Sequence, residues 1–489
     1  LYSGGLQIYT TQDPAIQKIV DEEVNNPDNY TAKRYSAEYR LSITHGDGTT
    51  EHYSERDMQS WHKNVLGDSH DGLYDSEEEV QADVDSYKAW LLKEDDTIIG
   101  ESLTKILQPQ VSFVLMDQKT GYVKAISGGR GAKTANLTLN RATNTPRQPG
   151  STFKVISAFA PALDTCGATL GTVYYDSVYS VGNKTFNNWY GQKYTGYSSI
   201  RDGIIYSMNI VAVRCLMETV SPQLGLEYAE NFGITTLTSQ DLGASQALGG
   251  LTHGTTNLEL TAAYASIANE GIYTRPVFFT KILDHDGKIL INNEPETHRV
   301  LKDSTAFLLT DAMAGSMETN RKFGSSINST SARANIPGMS NAGKSGTTSK
   351  NNDIWFVGYT PYYTAGIWAG CDSNQKLTAQ NGGTSFHKNI WRNIMTRVHE
   401  NLSDPGFTIP DSVETAQICR KSGKLAIPGV CTEDPRGNAV YTEYFAKGTV
   451  PSEMCNTHVR ATVCAETGLL PGDSCPRTVL IRIALPADA

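Results

Sequence analysis

The first group of residues that could do chemistry is Ser151-Thr152-Phe153-Lys154, at the predicted start of a helix. Residues i and i+3 of a helix lie on one face, so the Ser151 hydroxyl and the Lys154 amine are predicted to be neighbours. A lysine with a depressed pKa could take the serine proton and later return it to a leaving amine. Taken alone, Ser-x-x-Lys is also typical of an ordinary capped helix with a surface lysine.

A second hydroxyl and an amide follow at Ser207-Met208-Asn209. Side chains two residues apart in an extended stretch face the same way. Ser207 could therefore bridge Lys154 and a leaving group, while the Asn209 amide holds a carbonyl of a peptide substrate. By itself, Ser-x-Asn usually marks a turn, so the hypothesis depends on the other two groups.

The third group is the run KSGTT at 344–348. In an extended strand Ser345 and Thr347 share one face, and Gly346 lets the backbone approach a ligand closely. A strand edge that offers hydroxyls and a cation suits a substrate that docks as an extra strand and ends in a carboxylate. The backbone N–H groups of Thr347 and Ser151 are predicted to form an oxyanion hole.

The same lysine and serine also complete a phosphate-loop pattern, GMSNAGKS at 338–345. A phosphate loop needs a buried strand before it and a helix that opens at the lysine. Here ARANIP precedes the pattern, and a glycine, two threonines and predicted strands follow it. Nucleotide binding is therefore not predicted.

The segments around these groups predict an α+β domain over about 106–400. The segment 110–129 reads as a hairpin, 151–164 as an apolar helix, and 353–361 with 362–370 as an antiparallel strand pair. A mostly helical stretch lies between them. Strands, then helices, then strands of the same sheet favour helices packed against an antiparallel sheet.

The two flanks are predicted to be separate units. Residues 1–105 read as a junction region, in which Asp13 caps a helix with Pro14 first, followed by a linker or small auxiliary domain with an acidic helix at 76–96. Residues 401–489 form a Cys-rich extension. The net charge of −10 argues against nucleic-acid binding. The chain begins at Leu1 without a long apolar run, so we expect a processed form or a fragment.

Five of the eight cysteines crowd into the C-terminal extension, where CRKSGKLAIPGVC (419–431) resembles CAETGLLPGDSC (464–475). Each loop is bracketed by cysteines and turns through glycine and proline, which predicts local disulfides in an oxidising compartment. The candidates are Cys419, Cys431, Cys464 and Cys475. A metal site using Cys455 and His458 is the alternative. Only one histidine lies among these cysteines, so no metal is predicted.

The three groups in this order are typical of penicillin-binding proteins and serine β-lactamases. Longer segments resemble class A penicillin-binding proteins of Gram-positive type, namely RQPGSTFK (147–154), FNNWYG (186–191), ALGGLTHGTTNLELTAAYASIANEG (247–271) and KSGTTSKNNDIWFVGYTP (344–361). The segment GGLQIYTTQDPAIQ (4–17) resembles the junction that follows the glycosyltransferase domain in that family. The resemblance covers 1–24 and about 105–400 and implies the serine penicillin-recognising fold.

The resemblance also implies a role for each residue. Ser151 would be the nucleophile, Lys154 its base, Ser207 the proton relay and Lys344 the organiser of that relay. Asn209 would orient the donor stem. The remaining substrate contacts would come from Trp189, Ser345, Gly346, Thr347 and Thr348. The implied function is a D,D-transpeptidase that cross-links peptidoglycan stem peptides, is acylated by β-lactams and needs no cofactor.

Three alternative functions would use the same acylation of Ser151. A D,D-carboxypeptidase passes the acyl group to water, and a serine β-lactamase needs a further base for deacylation. A β-lactam sensor would be acylated and stay so. The resemblance further implies a parent chain anchored at the extracellular face of the cell membrane with an upstream glycosyltransferase domain, whose motifs this chain does not contain.

Overall fold

A computed structural model describes residues 4–133, 135–467 and 469–484. The chain begins with strand β1 (Gln7–Thr10) and helix α1 (Pro14–Asn25). The Asp13 carboxylate accepts hydrogen bonds from the N–H groups of Ala15 and Ile16, and Pro14 fills the first helical position. This confirms the predicted helix start, because Asp and Pro each suit one of the two positions.

The acidic N-terminal segment is a folded unit with its own core. Its elements are β2 (Arg34–Thr44), β3 (Thr50–Ser54), α2 (Glu55–Trp61), α3 (Glu77–Leu91) and β4 (Thr97–Gln108). The strands form an antiparallel sheet in the order β3-β2-β4, and Tyr39 of β2 is buried in one cluster with Val80 and Val84 of α3. Of the two predicted forms, the segment takes that of a small auxiliary domain. The boundary predicted near 105 falls inside β4.

The predicted hairpin at 110–129 is present as β5 (Gln110–Asp117) and β6 (Val123–Ser127). Short strands then form ribbons around the helical part of the domain. They are β7 (Val173–Asp176), β8 (Tyr179–Val181), β9 (Lys184–Phe186), β10 (Gly196–Ser199), β11 (Ile272–Thr274), β12 (Phe279–Leu283), β13 (Ile289–Asn292) and β14 (Thr297–Arg299). Strand β1 joins β12 and β13 in a three-stranded sheet, which ties the N-terminus to this domain.

The helices of the domain lie on both sides of its main sheet. They are α4 (Arg141–Asn144), α5 (Ala160–Asp164), α6 (Ile200–Ile205), α7 (Asn209–Arg214), α8 (Pro222–Asn231), α9 (Asn257–Ala268), α10 (Asp303–Met317) and α11 (Phe386–Val398). A 3₁₀ turn over Gly150–Thr152 and a π-helical stretch over Val155–Phe159 lead into α5. The predicted apolar helix at 151–164 is therefore helical throughout, but not as one regular α-helix.

The main sheet has five antiparallel strands in the order β15-β16-β17-β5-β6, where β15 is Ala342–Thr347, β16 is Asp353–Tyr359 and β17 is Tyr363–Gly370. Alternate residues of β16 enter different cores. Trp355 and Val357 pack with the helix that follows Ser151, whereas Phe356 packs against Trp391 of α11. The α+β prediction is confirmed, and the Lys344-Ser345 pair lies in a strand rather than at a helix start.

The C-terminal extension consists of two antiparallel ribbons, β18 (Val413–Cys419) with β19 (Val440–Ala446) and β20 (His458–Cys464) with β21 (Thr478–Ala484). Within the described ranges no helix has the length and apolar character needed to cross a membrane.

The eight cysteines are free thiols in this structure, so neither predicted disulfide is present. For Cys419 and Cys431 the reason is geometric, because both thiols turn toward Cys455 and His458 in one buried group. The Cys475 thiol hydrogen-bonds to the Cys464 thiol, and this hydrogen bond lowers the pKa of Cys464 to about 7. A disulfide between those two stays a prediction.

Candidate active site

Ser151 lies in a helical start that is held by hydrogen bonds from two other elements. The Trp355 indole donates a hydrogen bond to the carbonyl of Gln148 at 2.9 Å. The Tyr264 hydroxyl donates to the carbonyl of Thr152 at 2.7 Å, and both aromatic side chains are buried. These bonds use carbonyl groups on either side of Ser151. The turn that carries the serine is therefore anchored to β16 and α9.

The end of β15 packs directly on this turn through glycines. Gly150 has a φ of +57°, and a Cβ atom there would lie 2.9 Å from the backbone nitrogen of Thr347. A Cβ at Gly346 would lie 2.4 Å from the carbonyl oxygen of Pro149. Only glycine tolerates both conditions. The Thr347 N–H therefore belongs to the backbone contact that carries Ser151, as the predicted oxyanion hole requires.

Lys154 is fully buried one helical turn after Ser151. Its Nζ lies 2.7 Å from the Ser207 carbonyl, 2.6 Å from Asn209 Oδ1 and 3.3 Å from Ser207 Oγ. A neutral amine has two N–H donors and one lone pair. The two carbonyl oxygens can take the two donors, which leaves the lone pair free to accept a hydroxyl proton.

Lys344 approaches the same hydroxyl from β15. Its Nζ donates to Ser207 Oγ at 2.8 Å and to the Ser345 carbonyl at 3.1 Å, and its side chain is fully buried. Ser207 thus lies between two buried amines that come from segments 190 residues apart in the sequence, since the lysines are at 154 and 344. The structure brings together Lys154, Ser207, Asn209 and Lys344 as the sequence predicted.

Burial changes the protonation of both amines. Desolvation, helped by the charge of Lys344, lowers the pKa of Lys154 well below its ordinary value. Desolvation and the charge of Lys388 lower the pKa of Lys344 to about 7. Removing an ammonium group from water disfavours its charged form, and a like charge adds to that effect. Both shifts favour the neutral amine, which is the form that can act as a base.

The Ser207 turn is held in an uncommon backbone conformation. Ser207 has a φ of +52°, in the left-handed region that non-glycine residues rarely adopt. Asn188 stabilises the turn, because its Oδ1 accepts a hydrogen bond from the Asn209 N–H at 2.9 Å. Its Nδ2 in turn donates to Asp176 at 2.7 Å. Sequence reasoning missed Asn188 and Asp176 as supports, although the FNNWYG segment (186–191) was the available signal.

Trp189 and the end of β15 border the open side of this group. The Trp189 indole donates to the Tyr206 carbonyl at 2.8 Å, while 55% of the residue stays exposed. Trp189 is therefore not a core residue. Thr347 is exposed, Thr348 is half-buried and Ser345 is buried. Among the described strands β15 pairs only with β16, so its outer edge is open to an added strand.

Asp353 has a supporting position instead. It accepts a hydrogen bond from the Trp368 indole at 3.0 Å and lies 4.0 Å from Arg147. Burial raises the pKa of its carboxyl. These contacts give Asp353 a structural role.

Fold and site together define a protein of the serine penicillin-recognising class. The family described as "Penicillin binding protein transpeptidase domain" matches residues 111–396, and "Penicillin-binding protein 1A, C-terminal domain" matches 409–460. Because the first match covers more than half of the chain, the chain belongs to the penicillin-binding protein transpeptidase family. The predicted resemblance is thereby confirmed.

Curated relatives agree with this assignment. Penicillin-binding protein 1A of Clostridium botulinum (strain Langeland) is 35% identical over 383 residues, which cover 76% of this chain and 45% of the relative. Penicillin-binding protein 1A/1B of Bacillus subtilis is 30% identical, covering 75% of this chain and 40% of the relative. The chain thus spans a little under half the length of the curated relatives it matches.

The solved structures show the same fold. The crystal structure of penicillin-binding protein 1A from Haemophilus influenzae has a TM-score of 0.66 at 20% identity, covering 92% of this chain and 73% of that one. The PonA1 protein from Mycobacterium tuberculosis in complex with penicillin V has a TM-score of 0.58 at 20% identity, covering 84% of this chain and 90% of that one.

Proposed function

We propose that this chain is a D,D-transpeptidase that joins peptidoglycan stem peptides through an acyl-enzyme on Ser151. The observation that carries the proposal is the position of the Ser207 hydroxyl between the amines of Lys154 and Lys344, 3.3 Å and 2.8 Å away. A hydroxyl between two amines of low pKa can pass a proton in either direction. Acyl transfer to an amine needs this reversibility, because one amine leaves and another attacks.

The reaction has two balanced halves. Lys154 accepts the Ser151 proton while Oγ attacks the penultimate carbonyl of a D-Ala–D-Ala donor, and the N–H groups of Ser151 and Thr347 stabilise the oxyanion. The C–N bond then breaks, and Ser207 gives its proton to the departing D-Ala and regains one from the lysines. In the second half an acceptor amine attacks the ester, loses its proton to the same relay and releases Ser151.

The open edge of β15 supports the choice of substrate. A peptide donor laid along that edge would gain backbone hydrogen bonds, and its terminal carboxylate would reach the end of the strand near Ser345, Thr347 and Thr348. Gly346 keeps the approach free, while Trp189 and Asn209 border the donor stem. β-Lactams enter the same position and leave Ser151 acylated. The parent protein is proposed to be anchored at the extracellular face of the membrane, with a glycosyltransferase domain upstream.

Labelling with a fluorescent penicillin tests the nucleophile. Ser151→Ala should abolish covalent labelling, whereas Ser157→Ala should keep it. Ser157 is a matched control because it is buried in the helical stretch that follows Ser151, and its hydroxyl donates to the backbone carbonyls of Phe153 at 3.1 Å and Gln246 at 3.4 Å. Equal labelling of the Ser151 variant and the parent would refute the proposal.

The fate of the acyl group tests the acceptor. Exchange of a D-amino acid into a peptide donor, dependent on Ser151, would support transpeptidation. Release of the free acid alone would instead indicate a D,D-carboxypeptidase. Rapid hydrolysis of the penicilloyl group would indicate a β-lactamase, and a stable acyl-enzyme without turnover of any peptide would indicate a sensor.

A further inference from the structure

Four side chains of the C-terminal extension converge on one buried point. The thiols of Cys419, Cys431 and Cys455 and a ring nitrogen of His458 all lie within 4.8 Å of one another, and all four residues are buried. His458 Nδ1 is 3.3 Å from Cys419 Sγ and 3.5 Å from Cys455 Sγ. Bond lengths of about 2.3 Å to sulfur and about 2.0 Å to nitrogen in a tetrahedral zinc site require sulfur–nitrogen separations of about 3.5 Å.

Backbone pairing brings the second half of this group to the first. The Leu425 N–H donates to the Glu453 carbonyl at 3.0 Å, and the Cys455 N–H donates to the Leu425 carbonyl at 2.7 Å. This contact lays the Cys455-x-x-His458 segment over the loop between Cys419 and Cys431. The cluster is thus built by the fold of the extension, not by chance proximity of flexible side chains.

The hydrogen bonds around these four side chains are typical of metal ligands. The His458 Nε2 is 2.8 Å from Asp434 Oδ2, and the Asp434 carboxylate is fully buried and also bonds to Arg436. A carboxylate on the far nitrogen of a ligating histidine fixes the ring and its tautomer. Each sulfur also accepts a backbone N–H, at 3.3 to 3.4 Å, from Lys421, Ile427 and Thr457. Such bonds stabilise thiolates.

A disulfide would account for the cluster less well. It would consume two of the three thiols and leave the third buried beside His458 with no covalent or metal partner. Among the described residues, the hydrophobic cluster that the extension forms by itself is small. The buried members of its own cluster are Cys419, Cys431, Cys455 and Ala439. Small units of this kind are usually held by disulfides or a structural metal.

We propose that Cys419, Cys431, Cys455 and His458 bind one Zn²⁺ ion as a structural site. Three thiolates and one imidazole fill a tetrahedral shell and leave no position for substrate, which distinguishes the site from a catalytic one. Binding releases the three thiol protons and joins β18, the following loop and β20 at one point. The proposal replaces both the disulfide predicted for Cys419 with Cys431 and the expectation that the chain holds no metal.

Metal analysis of the whole chain, purified without a histidine tag, tests the proposal. We expect one zinc per chain after extensive dialysis. Replacement by Co²⁺ should give the visible absorption of a tetrahedral ion with thiolate charge transfer. Absence of bound zinc, together with a Cys419–Cys431 disulfide found by peptide mapping, would overturn the proposal.

Zinc binding by substituted chains gives a second test of the site. Cys455→Ser should lose the zinc, whereas Cys475→Ser, at a cysteine outside the cluster, should keep it. Asp434→Asn should weaken zinc binding about 10- to 100-fold in competition with a chelator, because the histidine loses its orienting partner. Penicillin labelling of each variant shows whether the transpeptidase domain is still folded. Zinc retained in both Cys455→Ser and His458→Gln would refute the site.

Discussion

The catalytic centre and the Cys–His cluster are both buried polar groups, but they stand in opposite relations to their surroundings. Lys154 and Lys344 lie beside an extensive apolar core that includes Phe153, Tyr264 and Trp355. The hydrophobic cluster around the Cys–His group is small. Three of its four buried members are the cysteines themselves, and the apolar residues packed against them are only partly buried, namely Phe323, Ala426, Ile427 and Val440. In the catalytic centre, the packed apolar core keeps the polar side chains in position. In the C-terminal extension, the proposed zinc ion and its four ligands stabilise the arrangement of the strands.

This difference predicts opposite consequences of removing a polar group. Burying an amine lowers the stability of the folded state, because desolvation disfavours its charged form. The apolar contacts of the surrounding core offset this cost. The Ser207 backbone at a φ of +52° adds a further cost at the same place. Polar substitutions in the centre should therefore affect the reaction more than the stability. Polar substitutions in the C-terminal extension should instead affect the stability more than the reaction.

The largest effect is expected for Lys154→Met. Methionine keeps much of the apolar volume and removes the base, so acylation by penicillin should slow about 10²- to 10⁴-fold. The melting temperature should change little, because removing a buried ionisable group offsets the loss of the donor to the Ser207 carbonyl and Asn209 Oδ1. Stopped-flow acylation and thermal unfolding measure the two quantities. The exposed Lys288→Met serves as control. A variant that unfolds but acylates normally would contradict the contrast between the regions.

A smaller effect is expected at the boundary of the two regions, for Glu443→Gln. Glu443 of β19 is fully buried and bonds to Arg201 of α6, the helix that leads to Ser207. Arg201 also bonds to Asp311, so the guanidinium keeps one partner. Breaking this buried pair should lower the free energy of unfolding by about 3 kcal/mol. Denaturant unfolding measures the change.

The control for that change is an exposed pair in the same extension. Glu453 is 70% exposed at its side chain and pairs with Lys424, so Glu453→Gln should change the free energy of unfolding by less than about 1 kcal/mol. If both variants are equally stable, β19 does not anchor the extension to α6.

The third effect concerns pH. Burial lowers the pKa of Lys344 to about 7 and that of Lys154 well below its ordinary value, so both amines gain protons as the pH falls through those lowered values. The acylation rate should therefore fall with decreasing pH, by about tenfold per unit once the base is mostly protonated. Zinc content should stay constant until the thiols compete for protons at lower pH. A rate that stays flat between about pH 8 and about pH 5 would exclude Lys344, with its pKa of about 7, from the proton relay.

The sequence predicted the centre better than the cluster for physical reasons. Ser151 and Lys154 lie one helical turn apart, and Lys344 lies in a strand, so local periodicity indicates which side chains share a face. The cluster depends on the pairing of Leu425 with Glu453 and Cys455, a contact between loops that no periodicity signals. The internal repeat therefore suggested two equivalent disulfide loops. Only the first loop receives Cys455 and His458.

Supports of the centre were missed for a related reason. Asn188 acts through hydrogen bonds to the backbone of Asn209 and to the Asp176 carboxylate, and neither bond follows from spacing in the sequence. The left-handed φ of Ser207 likewise depends on tertiary contacts, since serine has no intrinsic preference for that region. The side chains proposed to act on the substrate were therefore easier to predict than those that position a turn.

The smallest effect is expected for Trp189→Phe, which tests whether the indole helps to hold the Ser207 turn. Phenylalanine keeps an aromatic side chain at the border of the site but loses the 2.8 Å hydrogen bond to the Tyr206 carbonyl, next to Ser207. One such bond is worth about 0.5–1.5 kcal/mol, so acylation should slow about two- to tenfold. Trp90→Phe is the matched control, because Trp90 is 52% exposed and Trp189 is 55% exposed. Trp90 lies in α3 of the auxiliary domain, so its variant should acylate at the parent rate. Equal rates for both variants would mean that the turn keeps its conformation without the indole, and that Asn188 alone is sufficient to hold it.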